Sequence, residues 1–486
     1  MSPFLIFFVL LGYFFLLGTI SFFTSRNEND NDSFFIGAKK SPWYIVSVGM
    51  IGATLSGISV VSVPGMVRSL NFTYMQMVFG FFIGYVVVVS VLLPVYYKLN
   101  LTSIYGYLGN RFGSLTHRTG ALFFIFAKAV GASARLYVVA IVLQEFIFDA
   151  WNVPFSLTIF LTLFVIYLYS FNGGIKTIVW TDFFQTIALL LTVILMLVEV
   201  VRLLDFNVFS AVKVLVESSY SQIFIFDDWH SRSHFIKQFL SGIFVVIVMT
   251  GLDQDIMQKN LSCKSYKESR RNMLWYGFAF IPVNLLFLSL GGLLLIYASV
   301  NSIDLPAVND SILPYFAIRL SPLVTVCFVI GIVAAAFSSV DSALTSLTTS
   351  FFVDILKKDK QVDKKSRKKI HFGFTFLFFF LVLLFRFWNN QSAIDTIYTI
   401  VSYTYGPLLG LFAFGLFTSY SIREKWVPWI AVASPLISYI LKVILENQFG
   451  YVFGYELLIL NGLLTFIGLK LVAYKPKMNK EEKTLE

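Results

Sequence analysis

Of the 486 residues, 57% are hydrophobic and only 13% charged, about half the charged share of a soluble domain, which makes the chain an integral membrane protein. The net charge of +10 calls for no nucleic-acid partner, because the basic residues gather in loops on one side of the expected spans. The two cysteines, Cys263 and Cys327, provide neither a disulfide framework nor a metal cluster.

Thirteen apolar segments are long enough to cross a bilayer: roughly 3–23, 43–68, 72–96, 118–148, 153–171, 178–203, 233–251, 272–299, 322–352, 370–389, 395–419, 427–446 and 453–473. The first, "PFLIFFVLLGYFFLLGTISFF", is preceded by no basic residue and carries no small-residue cleavage site. It is also longer than a signal-peptide core, so a retained helix is expected.

The second span holds "GMIGATLSGISVVSVPG". Small residues that ease helix packing would account for Gly49, Gly52 and Gly57. They account less well for Thr54, Ser56 and Ser59, three hydroxyls at mid-depth. A broken helix fits both, because free carbonyls and N–H groups at such a break hold ions and substrate.

Three later spans carry deep charge. Arg135 lies near the middle of the fourth, in "GASARLYVV", with Lys128 two turns away on the same face. Asp182 lies just inside the sixth, in "IVWTDFFQT". The ninth contains "AAAFSSVDSALTS" (334–346), where Ala335, Ser338, Ser339, Asp341, Ser342, Thr345 and Ser346 share less than half the helix circumference. Hydroxyls and a carboxylate are hard ligands, suited to Na⁺ rather than to zinc or copper. Bonding back to helix carbonyls would satisfy the hydroxyls alone. It cannot serve Asp341, whose charge costs at least ~2.5 kcal/mol unpaired at mid-membrane. An internal ion pair between Arg135 and one of the aspartates is the structural alternative.

The distribution of Lys and Arg sets the orientation. With the N-terminus outside and the C-terminus in the cytoplasm, the runs "KSYKESRR" (264–271) and "KKDKQVDKKSRKK" (357–369) fall inside, and the outer loops hold only Lys213, Arg232 and Arg319. The 357–369 run reads as a solvated loop more readily than as an anionic-lipid site. The longest stretch without a span is the outer loop 204–232, so no soluble receptor or kinase module is expected.

Several motifs together are highly specific: "FFIGAKKSPWY" before the second span, "YYKLNLTSIYGYLGNRFG" (96–113), "FNGGIKTIVWTDFFQT" (171–186), "AAAFSSVDSALTS" and "YTYGPLLGLF" (403–412). On these residues the chain resembles the sodium:solute symporter family over roughly 33–450. That family includes Na⁺/glucose, Na⁺/iodide, Na⁺/multivitamin and bacterial sialic-acid transporters. The resemblance implies an all-α, leucine-transporter-like fold of two inverted five-helix repeats, 43–203 and 233–419, separated by the outer loop 204–232. One extra N-terminal helix and the first inner loop (1–42) precede them, and two C-terminal helices (420–474) and a cytoplasmic tail (475–486) follow. The seventh span, "HFIKQFLSGIFVVIVMTGLDQD", would be the second broken helix, its "LSGI" echoing that at 55–58.

The resemblance also implies sites. A primary Na⁺ site would join the carbonyls of Gly52, Leu55 and Ala335 to the hydroxyls of Ser338 and Ser339. A second Na⁺ site, found in part of the family, would use Asp182, Ser338, Asp341 and Ser342. The bacterial pattern has serine at position 341, so Asp341 either strengthens that site or pairs with Arg135. Arg135 falls where sialic-acid transporters place the arginine that binds the substrate carboxylate, and Thr54, Ser56 and Ser59 match that pocket's hydroxyl positions. The expected activity is Na⁺-coupled uptake of a small organic anion, a sugar acid or monocarboxylate, across the plasma membrane by a protein working as a monomer. A neutral sugar or polyol is the alternative, although Ser59 stands where the sugar-transporting branch has histidine. A channel would need repeated rings of charge, and an enzyme would need a catalytic constellation that no span carries.

Overall fold

Apolar runs of bilayer length dictate an all-helical architecture, because a chain in lipid must satisfy its backbone hydrogen bonds within itself. The computed structural model describes residues 3–25, 37–357, 364–388 and 393–475. In chain order its main helices are α1 (Pro3–Ser25), α2 (Trp43–Thr54), α3 (Gly57–Leu70), α4 (Tyr74–Lys98), α5 (Ser114–Trp151), α6 (Phe155–Leu168) and α7 (Gly174–Leu203). They continue as α8 (Val208–Glu217), α9 (Phe235–Gly251), α10 (Gln254–Leu261), α11 (Tyr266–Val300), α12 (Pro322–Ile355) and α13 (Lys365–Arg386). The last are α14 (Thr396–Thr404), α15 (Gly406–Phe417), α16 (Val427–Phe449) and α17 (Leu457–Leu471). Among the described residues, 8 helices can cross a membrane alone, and the bent pairs α2/α3, α9/α10 and α14/α15 raise the number to 11. The shorter apolar helices α6 and α17 lie where two further crossings were expected. One antiparallel pair of two-residue strands, β1 (Ser421–Ile422) and β2 (Ala473–Tyr474), clips the end of α17 beside the start of α16.

The first broken helix is where the sequence places it. The pair α2/α3 bends by 62°. Leu55 (ψ 72°) and Ser56 (ψ 166°) leave helical geometry, and the Ser56 N–H turns to the Thr54 carbonyl at 2.9 Å. The Gly52 carbonyl thereby loses its partner four residues on, as a helix end requires. A Cβ at Gly52 would stand 2.0 Å from Thr186 Oγ1, so only glycine lets α2 lie this close to α7.

One expectation shifts, and the second break finds its position. Residues 172–177 do not form a loop between spans. The helix runs from Phe155 to Leu203 and breaks only at Gly174, whose φ of 53° and ψ of −162° favour glycine. The second broken helix does not open at its "LSGI". Ser241 and Gly242 sit in unbroken helix, where Gly242 packs on the Met77 carbonyl of α4. The 65° bend comes about ten residues later, where Asp253 caps α10 by accepting the Asp255 N–H at 2.8 Å.

α12 runs through the middle of the bundle and packs on α2, α3, α5 and α7. All residues from Gly331 to Ser350 are buried. By contrast, α1 turns Phe4, Phe8, Phe15, Phe22 and Phe23 outward, as a lipid-facing helix does.

Candidate functional site

The broken ends of α2 and α9 meet the hydroxyl-rich stretch of α12. Ser339 Oγ lies 3.3 Å from the Ala53 carbonyl and 3.0 Å from the Ala335 carbonyl. A carbonyl released by the α2 break and a hydroxyl of α12 therefore already face each other across the gap where the primary cation was expected. Ser338, the other hydroxyl assigned there, donates to Asp182 Oδ1 of α7 at 2.6 Å. Its oxygen thus borders both expected cation sites. Carbonyl and hydroxyl oxygens are the hard, uncharged donors that suit Na⁺.

Beneath this point lies a buried network of ionised groups. Lys259 Nζ on α10 is 2.7 Å from Asp182 Oδ2 and 3.8 Å from Asp255 Oδ1. Lys128 Nζ on α5 is 2.6 Å from Asp255 Oδ2 and 3.2 Å from both Asp253 oxygens. Ser342 donates a short hydrogen bond to Asp255 Oδ1, and Tyr405, at the α14/α15 bend, donates to Asp253 Oδ2 at 2.7 Å. Asp341 is fully buried. Of the residues expected at a second Na⁺ site, Asp182, Ser338 and Ser342 come together around an ammonium that the sequence reading did not include, and Asp341 lies one turn from Ser338 on α12. The network joins α5, α7, α10, α12 and the α14/α15 bend. Breaking such a pair costs about 3–5 kcal/mol, because the remaining charge stays buried.

Above it is a cavity of about 70 Å³ that Thr54, Ser56, Ser59 and Arg135 all border, together with Lys128 and Asp253. The four residues expected to bind substrate are thus neighbours in space. Arg135 Nε is buried and has no hydrogen-bond partner, and among the described residues the guanidinium forms no ion pair. Thr54 Oγ1 and the Tyr276 hydroxyl are 2.5 Å apart. At the other side, the Tyr74 and Tyr398 hydroxyls are 3.1 Å apart. Tyr74 also borders a second cavity of about 210 Å³, together with Arg232 and Tyr455.

A model of the sodium:solute symporter family matches residues 34–422. The chain belongs to the sodium:solute symporter family. This symporter is 24% identical over 477 residues to the sodium/sialic acid symporter NanT of Aliivibrio fischeri, covering 94% of this chain and 92% of that one. It is 24% identical to the sodium/sialic acid symporter SiaT of Proteus mirabilis, covering 84% of each. It is also 24% identical to the human sodium-coupled monocarboxylate transporter 2, covering 84% of this chain and 67% of that one. In fold it matches a Na⁺-coupled sialic acid symporter in a substrate-bound outward-open state, with a TM-score of 0.79, 21% identity, and 97% and 99% of the two chains covered. A nucleobase-cation-symport-1 family transporter in a closed conformation shares the fold at a TM-score of 0.50.

Sequence reasoning missed the symporter's Asp253, Asp255 and Lys259, because the inner loop was taken to begin at 252. All eight residues of α10, "QDIMQKNL", are buried. One signal was available: a broken seventh span needs a second half, and Asp255 and Lys259, four residues apart, share a helix face. Tyr405 was quoted in a motif but given no role.

Proposed function

We propose that the symporter couples the inward movement of Na⁺ to uptake of a small organic anion, a sugar acid or monocarboxylate. Arg135 carries the reading: a half-buried guanidinium whose buried Nε has no hydrogen-bond partner, and which forms no ion pair among the described residues, borders a cavity that also presents Thr54, Ser56 and Ser59. A guanidinium is the natural bidentate receptor for a carboxylate. The names of the relatives, for sialic acid and for monocarboxylates, agree with it.

In this reading Na⁺ enters among the carbonyls of Gly52, Leu55 and Ala335 and the hydroxyls of Ser338 and Ser339. Binding there draws the end of α2 onto α12 and fixes the segment that bears Thr54, Ser56 and Ser59. The substrate pocket is thus organised by the ion, and by reciprocity the substrate tightens the ion. Repeats 43–203 and 233–419 would move against each other, flanked by 1–42, 204–232, 420–474 and 475–486. The Tyr74–Tyr398 contact would be the thin outer gate. The N-terminus would face outward and the C-terminus the cytoplasm of a plasma membrane, with the protein working as a monomer in the bilayer and catalysing no reaction.

A thermal-shift screen of purified protein tests the substrate class, using sugar acids and small carboxylates beside their neutral sugar and amide counterparts, with Na⁺ or choline. Stabilisation by acids, in Na⁺ only, is the expected result. A neutral compound that stabilises wild type and Arg135→Ala equally would refute it.

A further inference from the structure

We propose that the Lys259 ammonium is this symporter's built-in second cation, so that one Na⁺, not two, moves in each cycle. The inference rests on Na⁺ coupling at the Ser339 site as read above.

Carboxylate oxygens of Asp182 on α7 and Asp255 on α10 converge on one point, and the α12 hydroxyls of Ser338 and Ser342 donate to those two carboxylates. Carboxylates and hydroxyls gathered in this way would hold a free Na⁺. The cation they hold is Lys259, whose Nζ stands 2.7 Å from Asp182 Oδ2 on a side chain only 1% exposed. An ammonium and a Na⁺ carry the same charge and compete for the same oxygens. A Na⁺ entering here would have to displace Lys259 from a position in which its side chain is buried. Without displacement the two cations would stand side by side in a low-dielectric interior, where like charges repel strongly. Lys128 does not serve in its place, being held by Asp253 and the far oxygen of Asp255. Because Lys259 is covalently fixed, it supports the fold like a bound ion but never crosses the membrane. It therefore neutralises charge without contributing to coupling.

Binding of radiolabelled Na⁺ to purified full-length protein tests this without knowledge of the substrate. Wild type should bind about one Na⁺ per chain, and Ser339→Ala should abolish it. Lys259→Ala should bind about two, one of which survives when Ser339→Ala is added, and its melting temperature should rise with Na⁺ but not with choline. Lys259→Arg, which keeps the fixed cation, should remain at one. If Lys259→Ala fails to fold, the wild-type count and the Lys259→Arg count still decide. Two Na⁺ per wild-type chain overturns the proposal, and so does one Na⁺ in a folded Lys259→Ala protein at saturating Na⁺. Failure of the coupling reading looks different: no specific Na⁺ binding to any variant.

Discussion

Replacing Arg135 separates a recognition role from a structural one. A charged hydrogen bond contributes about 1.5–3 kcal/mol, and an ammonium cannot reproduce both arms of a planar fork. Arg135→Lys should therefore weaken apparent substrate affinity by about 10- to 150-fold, and Arg135→Ala should weaken it further. Stability should behave otherwise. Because Arg135 has no ion-pair partner among the described residues, its removal strands no buried carboxylate. The cost should stay below about 1 kcal/mol, against the 3–5 kcal/mol of a broken buried pair. The assay is uptake of a labelled carboxylate into proteoliposomes, with the melting temperature measured on the same preparations. Undiminished uptake by Arg135→Ala would refute the clamp. Loss of folding in parallel with loss of uptake would show that Arg135 is a structural residue instead.

Ser339→Ala removes the hydroxyl that faces the Ala53 carbonyl at 3.3 Å, so the Na⁺ concentration for half-maximal uptake should rise at least tenfold, with weaker apparent substrate binding alongside it. Unchanged Na⁺ dependence would place the ion elsewhere. Asp182→Asn removes the 2.7 Å ion-pair contact of buried Lys259 and leaves the 3.8 Å contact to Asp255, which should destabilise the protein by about 3–5 kcal/mol; adding Lys259→Met should restore at least half of the loss, as read by chemical denaturation. Tyr398→Phe removes the 3.1 Å contact with Tyr74, worth about 1 kcal/mol, and the labelling rate of a Ser59→Cys reporter by a membrane-impermeant thiol reagent should rise about fivefold.

The sequence disclosed what depends on length and composition, and less of what depends on which buried groups meet. Apolar runs located the membrane-spanning helices because the bilayer sets their length. Gly52 and the hydroxyls after it announced the α2 break, since a span of that composition has few other uses. The seventh span was expected to break, but its "LSGI" did not say where; the break is made by the capping of Asp253. Lys259 was hidden for a related reason. A polar octapeptide beside a basic run reads as a solvated loop unless its helix is seen folded inward. Asp341 pointed on sequence alone to a nearby cation, for which Na⁺ and Arg135 were the candidates. Lys259 lies on a helix the hydropathy pattern does not register, and it was not weighed.

Lys259 changes what the symporter can achieve energetically. One Na⁺ carried with a monovalent anion moves no net charge, so only the Na⁺ gradient drives uptake, and a tenfold gradient accumulates substrate about tenfold. A second free Na⁺ would add its own factor of about ten. It would also add one net charge, worth about 2.3 kcal/mol per 100 mV, a further factor of about fifty. A fixed ammonium gives up that steepness and in exchange makes uptake of a monovalent anion indifferent to membrane potential. In proteoliposomes with potential imposed by a K⁺ gradient and valinomycin, wild-type steady-state uptake should not respond to the sign of the potential. Lys259→Ala uptake should increase when the interior is negative. A wild-type protein that accumulates a monovalent anion more strongly at negative potential carries a second charge inward, and Lys259 is then not the cation that completes the site.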